Sequence, residues 1–342
     1  MKKTAFILLL MCLTSLSFAQ ERFCHIYEGW QANCIFEADS LFQIIGKDAI
    51  SPGAHELLCL QVSKSTAAQE DIFTFSFDDY NSTSSTALSG SSMLFNNYVY
   101  SVGGVIVSDN EYLPYFVKMD YPVSDTVYTR IYTDLFENLQ SYYTHVLQEE
   151  NSLYAIGSTS DDNYHVGLSF HKMDTLGIIE YSSNFAPTST SPDADVGRPL
   201  QIVPASDGGF AITFEERFSG GYMTNQDAYC LKVDSLGNEQ WRCAIGHHDT
   251  VNYRPFVFPQ ENGNFYFTYS DPQVKNTTNP VLSPHLNDSS TIWFGEISAE
   301  GDVLWKRNLN RDINLQGHFY VNDVYEDEQG YIYLSGEMEY VD

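Results

Sequence analysis

The amino-acid sequence predicts an all-β protein built from repeated four-stranded antiparallel units. The chain of 342 residues contains 24 tyrosines, 22 phenylalanines and 4 tryptophans, a composition typical of β-strands. Short runs of alternating hydrophobic residues are separated by glycine-containing turns. The same order of strands and turns returns at a spacing of roughly 55 to 65 residues, which indicates a repeat architecture.

The composition also excludes some classes of protein. With 17 Lys+Arg against 45 Asp+Glu, the formal net charge is −28, whereas nucleic-acid binding needs a basic face. Hydrophobic residues make up 43% of the chain and charged residues 18%. This balance predicts a folded globular protein rather than a disordered polyanion.

The N-terminus has the pattern of a secretory signal peptide. Lys2 and Lys3 precede an apolar run, Ala5–Leu13, and the segment that follows has a small residue, Ala19, before the expected cleavage site. The run is shorter than the ~20 residues of a transmembrane helix. We therefore expect residues 1–19 to be removed, no transmembrane segment, and a secreted or cell-surface protein. A lipoprotein signal at Cys12 is the alternative.

The repeat is fullest in two adjacent segments, Gly197–Phe214 and Asp227–Ile245. They give the order strand, Asp-Gly-Gly turn, strand, loop, strand, Asp-x-x-Gly turn, strand. Gly208, Gly209 and Gly237 are expected to supply the positive φ of two tight hairpins. Each unit is thus predicted to be a four-stranded antiparallel meander.

Other copies of the unit lie on both sides. They are visible in residues 40–46 with 56–62, 97–104 with 115–120, 148–157 with 168–177, and 261–269 with 292–305. Five units are complete, and a sixth begins at about His318 but stops at Asp342 before its third strand. We expect either a natural chain that continues past Asp342 or an irregular closure that uses a strand at Glu21–Trp30.

Four-stranded units at this spacing favour radial blades over a sandwich, since each unit buries its faces only against its neighbours. The sequence therefore predicts one β-propeller domain over residues 20–342, incomplete at its C-terminus. About six blades are visible, the last incomplete, from a ring of six to eight.

Two motifs carry a resemblance to known proteins. Asp207-Gly208-Gly209-Phe210 is followed by Leu231-Lys232-Val233-Asp234 with Gly237 and Trp241, and the second half recurs as Gly301 with Trp305. This resembles the propeller repeats of exported bacterial proteins, including substrates of type IX secretion, which implies a C-terminal sorting domain. The turns are also similar to those of quinoprotein propellers, whose tryptophan is kept only twice here.

Five cysteines follow the predicted signal peptide: Cys24, Cys34, Cys59, Cys230 and Cys243. An odd number leaves at least one thiol in an oxidising compartment. Cys230 and Cys243 are predicted to lie opposite each other on a hairpin, either as a cross-strand disulfide or as buried thiols. None of the five has the spacing of a zinc or redox site.

Four residues near the first strands are candidate ligand-binding residues. Arg198 and Arg254 each precede a proline, at equivalent places just before the first strands of two successive units. They could bind an anion, and the alternative is a salt bridge to a nearby carboxylate. His145 and His318 hold similar places in two other units and are weaker candidates.

No metal or cofactor site is expected. His247-His248-Asp249 lacks a third ligand at a useful spacing, and the acidic runs at residues 161–163 and 323–328 lack the order of a calcium loop. Loose calcium binding is still expected at this net charge.

Motifs for serine, cysteine, zinc and phosphate chemistry are lacking from the sequence, so no catalytic residue is assigned. The leading hypothesis is an exported non-catalytic propeller that binds an extracellular protein or carbohydrate. The alternative is an extracellular hydrolase or lyase acting on glycans or peptides, with carboxylates drawn from different blades. Three or more polar side chains that converge at the channel mouth would favour the enzyme. A cofactor-bearing quinoprotein is the third hypothesis.

Overall fold

The computed structural model describes residues 30–37, 40–48, 57–65, 69–75, 91–108, 111–123, 126–133, 141–160, 166–188, 194–217, 226–246, 252–272, 290–309, 318–327 and 329–339. These residues form 22 β-strands, which make five four-stranded antiparallel sheets and one two-stranded sheet. In each sheet the strands pair in chain order. The five complete meanders and the incomplete sixth agree with the predicted repeat.

The strand bounds are as follows. Sheet 1 has β1 (Trp30–Glu37), β2 (Leu41–Asp48), β3 (Leu57–Ser63) and β4 (Gln69–Phe75); sheet 2 has β5 (Ser92–Phe95), β6 (Tyr98–Ser108), β7 (Glu111–Asp120) and β8 (Thr126–Ile131); sheet 3 has β9 (Tyr142–Glu149), β10 (Ser152–Ser160), β11 (Val166–Met173) and β12 (Ile179–Phe185); sheet 4 has β13 (Asp195–Pro204), β14 (Phe210–Arg217), β15 (Gln226–Val233) and β16 (Glu239–Ala244); sheet 5 has β17 (Tyr253–Pro259), β18 (Phe265–Pro272), β19 (Ser290–Ile297) and β20 (Val303–Asn308); sheet 6 has β21 (His318–Glu326) and β22 (Ile332–Glu339).

The structure describes the chain only from Trp30 onward, so it tests little of what was predicted for the N-terminus. The signal peptide, Cys24 and residues 21–29 lie outside the described residues. Trp30, the last residue of the predicted Glu21–Trp30 strand, begins β1, the first strand of sheet 1, and the rest of that prediction stays untested. Trp30 pairs with Asp48 of β2. Because β1 pairs with β2, sheet 1 has four strands like the other complete sheets.

The chain divides into two compact units, Met1–Thr133 with sheets 1 and 2, and Asp134–Asp342 with sheets 3 to 6. In the first unit β1 touches β5, and a shared apolar core lies between the two sheets. In the second unit the first strands of successive sheets touch in order, from β9 through β13 and β17 to β21. Separate apolar cores fill the spaces between sheets 3 and 4 and between sheets 4 and 5.

The outer hairpins of sheets 3, 4 and 5 share one turn chemistry. Asp234 Oδ1 accepts hydrogen bonds of 2.8 Å from the backbone N–H groups of Leu236 and Asn238. Asp174 and Ser298 bond their own turns in the same way. Such side chain to backbone bonds fix a turn locally, which is why the Asp-x-x-Gly pattern could be recognised in the sequence.

The glycines of sheet 4 have two different roles. Gly208 and Gly237 adopt positive φ, 82° and 72°, as predicted. Gly209 was also expected to supply positive φ, and this was wrong. A Cβ atom at Gly209 would lie 2.2 Å from the carbonyl oxygen of Val233, so glycine is needed there because two backbones approach closely.

An aromatic side chain on the outer strand of one sheet covers the turn glycine of the next sheet. The Trp241 ring of β16 lies over Gly301, and its Nε1 donates a 2.8 Å hydrogen bond to the carbonyl oxygen of Ala299. Tyr181 of β12 lies over Gly237 in the same manner. The glycine and the aromatic residue of the sequence motif are thus contact partners across neighbouring sheets. Within the described residues, no helix is long and apolar enough to cross a membrane.

Candidate functional site

Polar side chains of sheet 4 point toward sheet 5 at the end where β14 finishes and β15 begins. Ala211 of β14 and Ala228 of β15 belong to the core between these sheets. Because side chains alternate along a strand, Glu215 and Gln226 lie on the same face as those alanines. Glu215 is 9% exposed and Gln226 is 3% exposed.

Sheet 5 contributes a matching carboxylate. Phe267 and Tyr269 of β18 lie in the same core, and Asp271 comes two residues later on the same face. Asp271 is 5% exposed. It therefore faces sheet 4 at the level where Glu215 and Gln226 face sheet 5, and two buried carboxylates from different sheets are directed into one space.

Backbone and amide groups connect the two sheets at this place. The backbone N–H of Arg254, which has a φ of 49°, donates a 2.9 Å hydrogen bond to Glu215 Oε1. Asn252 donates from its backbone N–H to the carbonyl oxygen of Gln226 at 2.8 Å and from Nδ2 to Asp227 Oδ1 at 3.4 Å. Asp227 is also buried, but it lies opposite Glu216 in the pairing of β14 with β15, so its side chain is on the other face of sheet 4, turned toward sheet 3.

An aromatic pair and one lysine complete the group. The rings of Tyr269 and Trp293 are stacked, with centroids 6.2 Å apart and planes 11° from parallel. Lys306 Nζ lies 5.6 Å from the centroid of the Trp293 ring. Burial lowers the pKa of Lys306 and the charge of Asp271 opposes that shift. Burial, with the charges of Asp271 and Asp227, raises the pKa of Tyr269.

We call these seven residues the sheet 4–5 site: Glu215, Gln226, Asn252, Tyr269, Asp271, Trp293 and Lys306. Carboxylates outnumber ammonium groups within it, so it holds net negative charge. The part of the chain that the structure describes has no group of three His, Cys, Asp or Glu side chains arranged to hold a metal ion. The site combines hydrogen-bond acceptors, amide donors and aromatic side chains.

The opposite face of β14 carries a second, smaller polar group. Thr188 Oγ1 donates a 2.6 Å hydrogen bond to Glu216 Oε1 and lies 3.5 Å from the Tyr229 hydroxyl. Burial raises the pKa of Tyr229. Glu216 points toward sheet 3, where its neighbour Phe214 packs in the core between sheets 3 and 4. This group lies on the face of β14 opposite to Glu215.

The four predicted ligand residues lie in the first strands of sheets 3 to 6, rather than just before them. Arg254 reaches the sheet 4–5 site through its backbone, while its side chain is exposed. His145 is buried in β9 at 6% exposure. The side chains of Arg198 in β13 and His318 in β21 lie outside the described residues, so the proposed anion site between Arg198 and Arg254 stays a prediction.

Other predicted residues have mixed outcomes. Cys230 and Cys243 lie directly opposite each other in β15 and β16, as the sequence indicated, and both are thiols in the structure. Residues 247–249 and 161–163 lie outside the described residues, as do Glu328 and the side chain of Asp323. The loose calcium binding stays a prediction.

The sequence contains a signal for the site that motif searches do not detect. Near the ends of the second strands of sheets 4 and 5, an aromatic residue is followed within two positions by an acid, in Phe214-Glu215 and in Tyr269-Ser270-Asp271. The first strands of sheets 4 and 5, β13 and β17, contact each other. Acids near the ends of these strands in neighbouring blades, on the faces that are turned toward each other, can therefore contribute to one site.

Comparisons with known proteins bear on the fold. No protein-family model and no curated protein sequence matches the chain. The chain is similar to a solved structure of a polysaccharide lyase, the PL25 ulvan lyase, at 9% identity and TM-score 0.55, covering 88% of this chain and 78% of that one. A second structure of that lyase, bound to -[GlcA(1-4)Rha3S]-, gives 9% identity, TM-score 0.54 and the same coverage.

A GH93 α-L-arabinofuranosidase of Fusarium graminearum, solved with arabinobiose, has 10% identity and TM-score 0.46, covering 77% of this chain and 88% of that one. At these identities a likeness concerns the fold alone. The fold is an all-β propeller of four-stranded antiparallel blades, with six visible and the last incomplete.

Proposed function

We propose that this protein is an exported enzyme that cleaves a polysaccharide at the sheet 4–5 site. The observation that carries the proposal is the convergence of the buried carboxylates Glu215 and Asp271, contributed by two sheets, beside the stacked rings of Tyr269 and Trp293. This convergence favours the hydrolase or lyase alternative over the non-catalytic binding module. The similarity to a polysaccharide lyase agrees with a glycan as substrate.

The residues suit the chemistry of glycosidic bond cleavage. Glycosidases use two carboxyl groups, one that protonates the leaving oxygen and one that acts as base or nucleophile. A hydrogen bond to a carboxylate favours its charged form. Because the backbone N–H of Arg254 bonds Glu215, Glu215 suits the base or nucleophile, and Asp271 on the facing sheet supplies the second carboxyl group. Aromatic rings are suited to packing against the C–H face of a sugar.

The proposal also includes export, because the basic and apolar pattern of residues 1–19 is that of a signal peptide. An extracellular location matches a polysaccharide substrate. Sequencing the N-terminus of the chain recovered from the culture medium tests this part, with a start at Gln20 expected and retention of Met1 inside the cell as the contrary result.

The cleavage itself is tested with purified chain and a panel of soluble polysaccharides, in which newly formed chain ends are measured. Asp271→Asn and Glu215→Gln should each lower the rate about 100-fold or more, since acid–base groups contribute at least that much. Glu300→Gln removes an exposed turn carboxylate and serves as the matched control. Tight binding of a polysaccharide without any cleavage would instead establish the binding module.

A further inference from the structure

We propose that the sugar held in the sheet 4–5 site is uncharged, and that the bond is broken by hydrolysis rather than by elimination. This inference rests on the proposed function and names its substrate class. It is carried by the charge of the site and by one buried amide, the side chain of Gln226.

The amide of Gln226 points to a ligand that accepts hydrogen bonds. Gln226 is 3% exposed, and its Nε2 has no hydrogen-bond partner among the residues that the structure describes. Buried donors normally have a partner, because leaving one without is costly. The side chain lies on the face of β15 turned toward sheet 5, beside Glu215. A ligand oxygen in the site would be the missing acceptor.

The carboxylates require the same ligand to donate hydrogen bonds. A carboxylate such as that of Glu215 or Asp271 can only accept when it is ionised. A sugar hydroxyl both donates and accepts, so neighbouring hydroxyl groups can bond a carboxylate on one side and the Gln226 amide on the other. A sugar carboxylate or sulfate would accept only, and it would meet two buried carboxylates with Lys306 as the ammonium group of the site.

The charge of the whole chain acts in the same direction. At a formal net charge of −28, the protein repels a polyanionic chain and slows its approach. A neutral polysaccharide is not affected. The electrostatics of the site and of the chain therefore both favour uncharged sugars.

The substrate class decides the reaction. Elimination removes the proton beside a uronate carboxyl group, breaks the bond to the leaving oxygen and leaves a carbon–carbon double bond. A neutral sugar lacks that acidified proton. In hydrolysis, water supplies a hydroxyl group to the anomeric carbon and a proton to the leaving oxygen, so the products are a new reducing end and a free hydroxyl group, with no redox change.

The test compares the wild-type chain on neutral polymers, arabinan and galactan, with uronate polymers, polygalacturonate and glucuronan. Reducing ends report cleavage of either kind, and ultraviolet absorbance of the unsaturated product reports elimination. We expect new reducing ends from a neutral polymer without that absorbance. Preferred cleavage of a uronate polymer, with or without the absorbance, overturns this inference and leaves the proposed function standing. Cleavage of none of the four overturns both.

A pair of matched variants tests the role of the amide. Gln226→Glu removes the donor and adds a charge inside the site, whereas Gln329→Glu makes the same change in an exposed turn. Affinity electrophoresis in the neutral polymer should show binding weakened about tenfold for the first variant, the loss expected for one hydrogen bond, and unchanged for the second. Equal binding by both variants overturns the inference, and the wild-type comparison decides it if Gln226→Glu does not fold.

Discussion

Replacement of Gly301 by alanine should destabilise the packing of sheet 4 against sheet 5. Gly301 has a φ of 94°, and an alanine Cβ would lie 2.7 Å from the Trp241 ring. A left-handed backbone costs an alanine about 1–2 kcal/mol. Moving the ring to make room costs about 1–3 kcal/mol more, and it weakens the hydrogen bond from Trp241 Nε1 to Ala299. We expect a loss of about 3 kcal/mol in the free energy of unfolding.

Gly208 provides the matched control for this effect. It has a φ of 82°, but nothing lies within 4 Å of a Cβ atom built on it. Gly208→Ala should therefore show only the backbone strain, about 1–2 kcal/mol. The difference between the two variants measures the contact with Trp241, separately from the strain that both glycines avoid.

The assay is urea unfolding followed by tryptophan fluorescence, which reports on these sheets because Trp241, Trp293 and Trp305 lie in them. In a Trp241→Ala background, Gly301→Ala should cost no more than Gly208→Ala. Equal losses for Gly301→Ala and Gly208→Ala in the wild-type background would refute the idea that the ring requires glycine. So would an unchanged cost of Gly301→Ala when Trp241 is removed.

Three further results are expected. Burial raises the pKa of Asp207, but bonds from Lys232 Nζ and the Gly209 N–H outweigh it and lower the pKa below its usual range. The stabilisation from ionised Asp207 is present above the pKa of the unfolded state and is lost as pH falls through the lower pKa of the folded state. Lys232→Met removes the main bond that lowers this pKa, so the variant should lose less stability than the wild type at acidic pH, as measured by urea unfolding. Burial lowers the pKa of His171 to about 4; stability should fall as pH drops from about 6.5 toward 4, and a His171→Phe variant that keeps this slope would contradict the assignment. Alkylation of the unfolded, unreduced chain should modify both Cys230 and Cys243, which are thiols in the structure; a mass lacking both adducts would show the disulfide.

Much of the fold could be predicted because its signals are local. The turn at Asp234 closes on its own backbone N–H groups within four residues, so the residues that form it are adjacent in the sequence. Repetition then placed four strands in each unit. The expectation for Gly209 failed because its constraint comes from the carbonyl oxygen of Val233 on the neighbouring strand β15, and residue type alone does not separate positive φ from close approach.

The site could not be predicted in the same way. Glu215 and Asp271 belong to different repeats, and their convergence depends on how two sheets pack and on which face each strand end presents. In a chain with 45 acidic residues, a carboxylate by itself distinguishes no position. Lysine and arginine are scarce in this chain, and Arg254 was predicted as a ligand-binding residue. Arg254 does reach the site, but through its backbone N–H rather than its guanidinium group.

The most direct test of the central claim separates binding from cleavage in Asp271→Asn. We expect the variant to bind a cleavable polysaccharide with nearly wild-type affinity while its rate of cleavage falls about 100-fold or more, because the amide keeps the shape of the side chain and removes the acid–base group. Glu300→Gln should match the wild type in both measurements. Wild-type cleavage by Asp271→Asn would contradict the assignment of catalysis to the sheet 4–5 site.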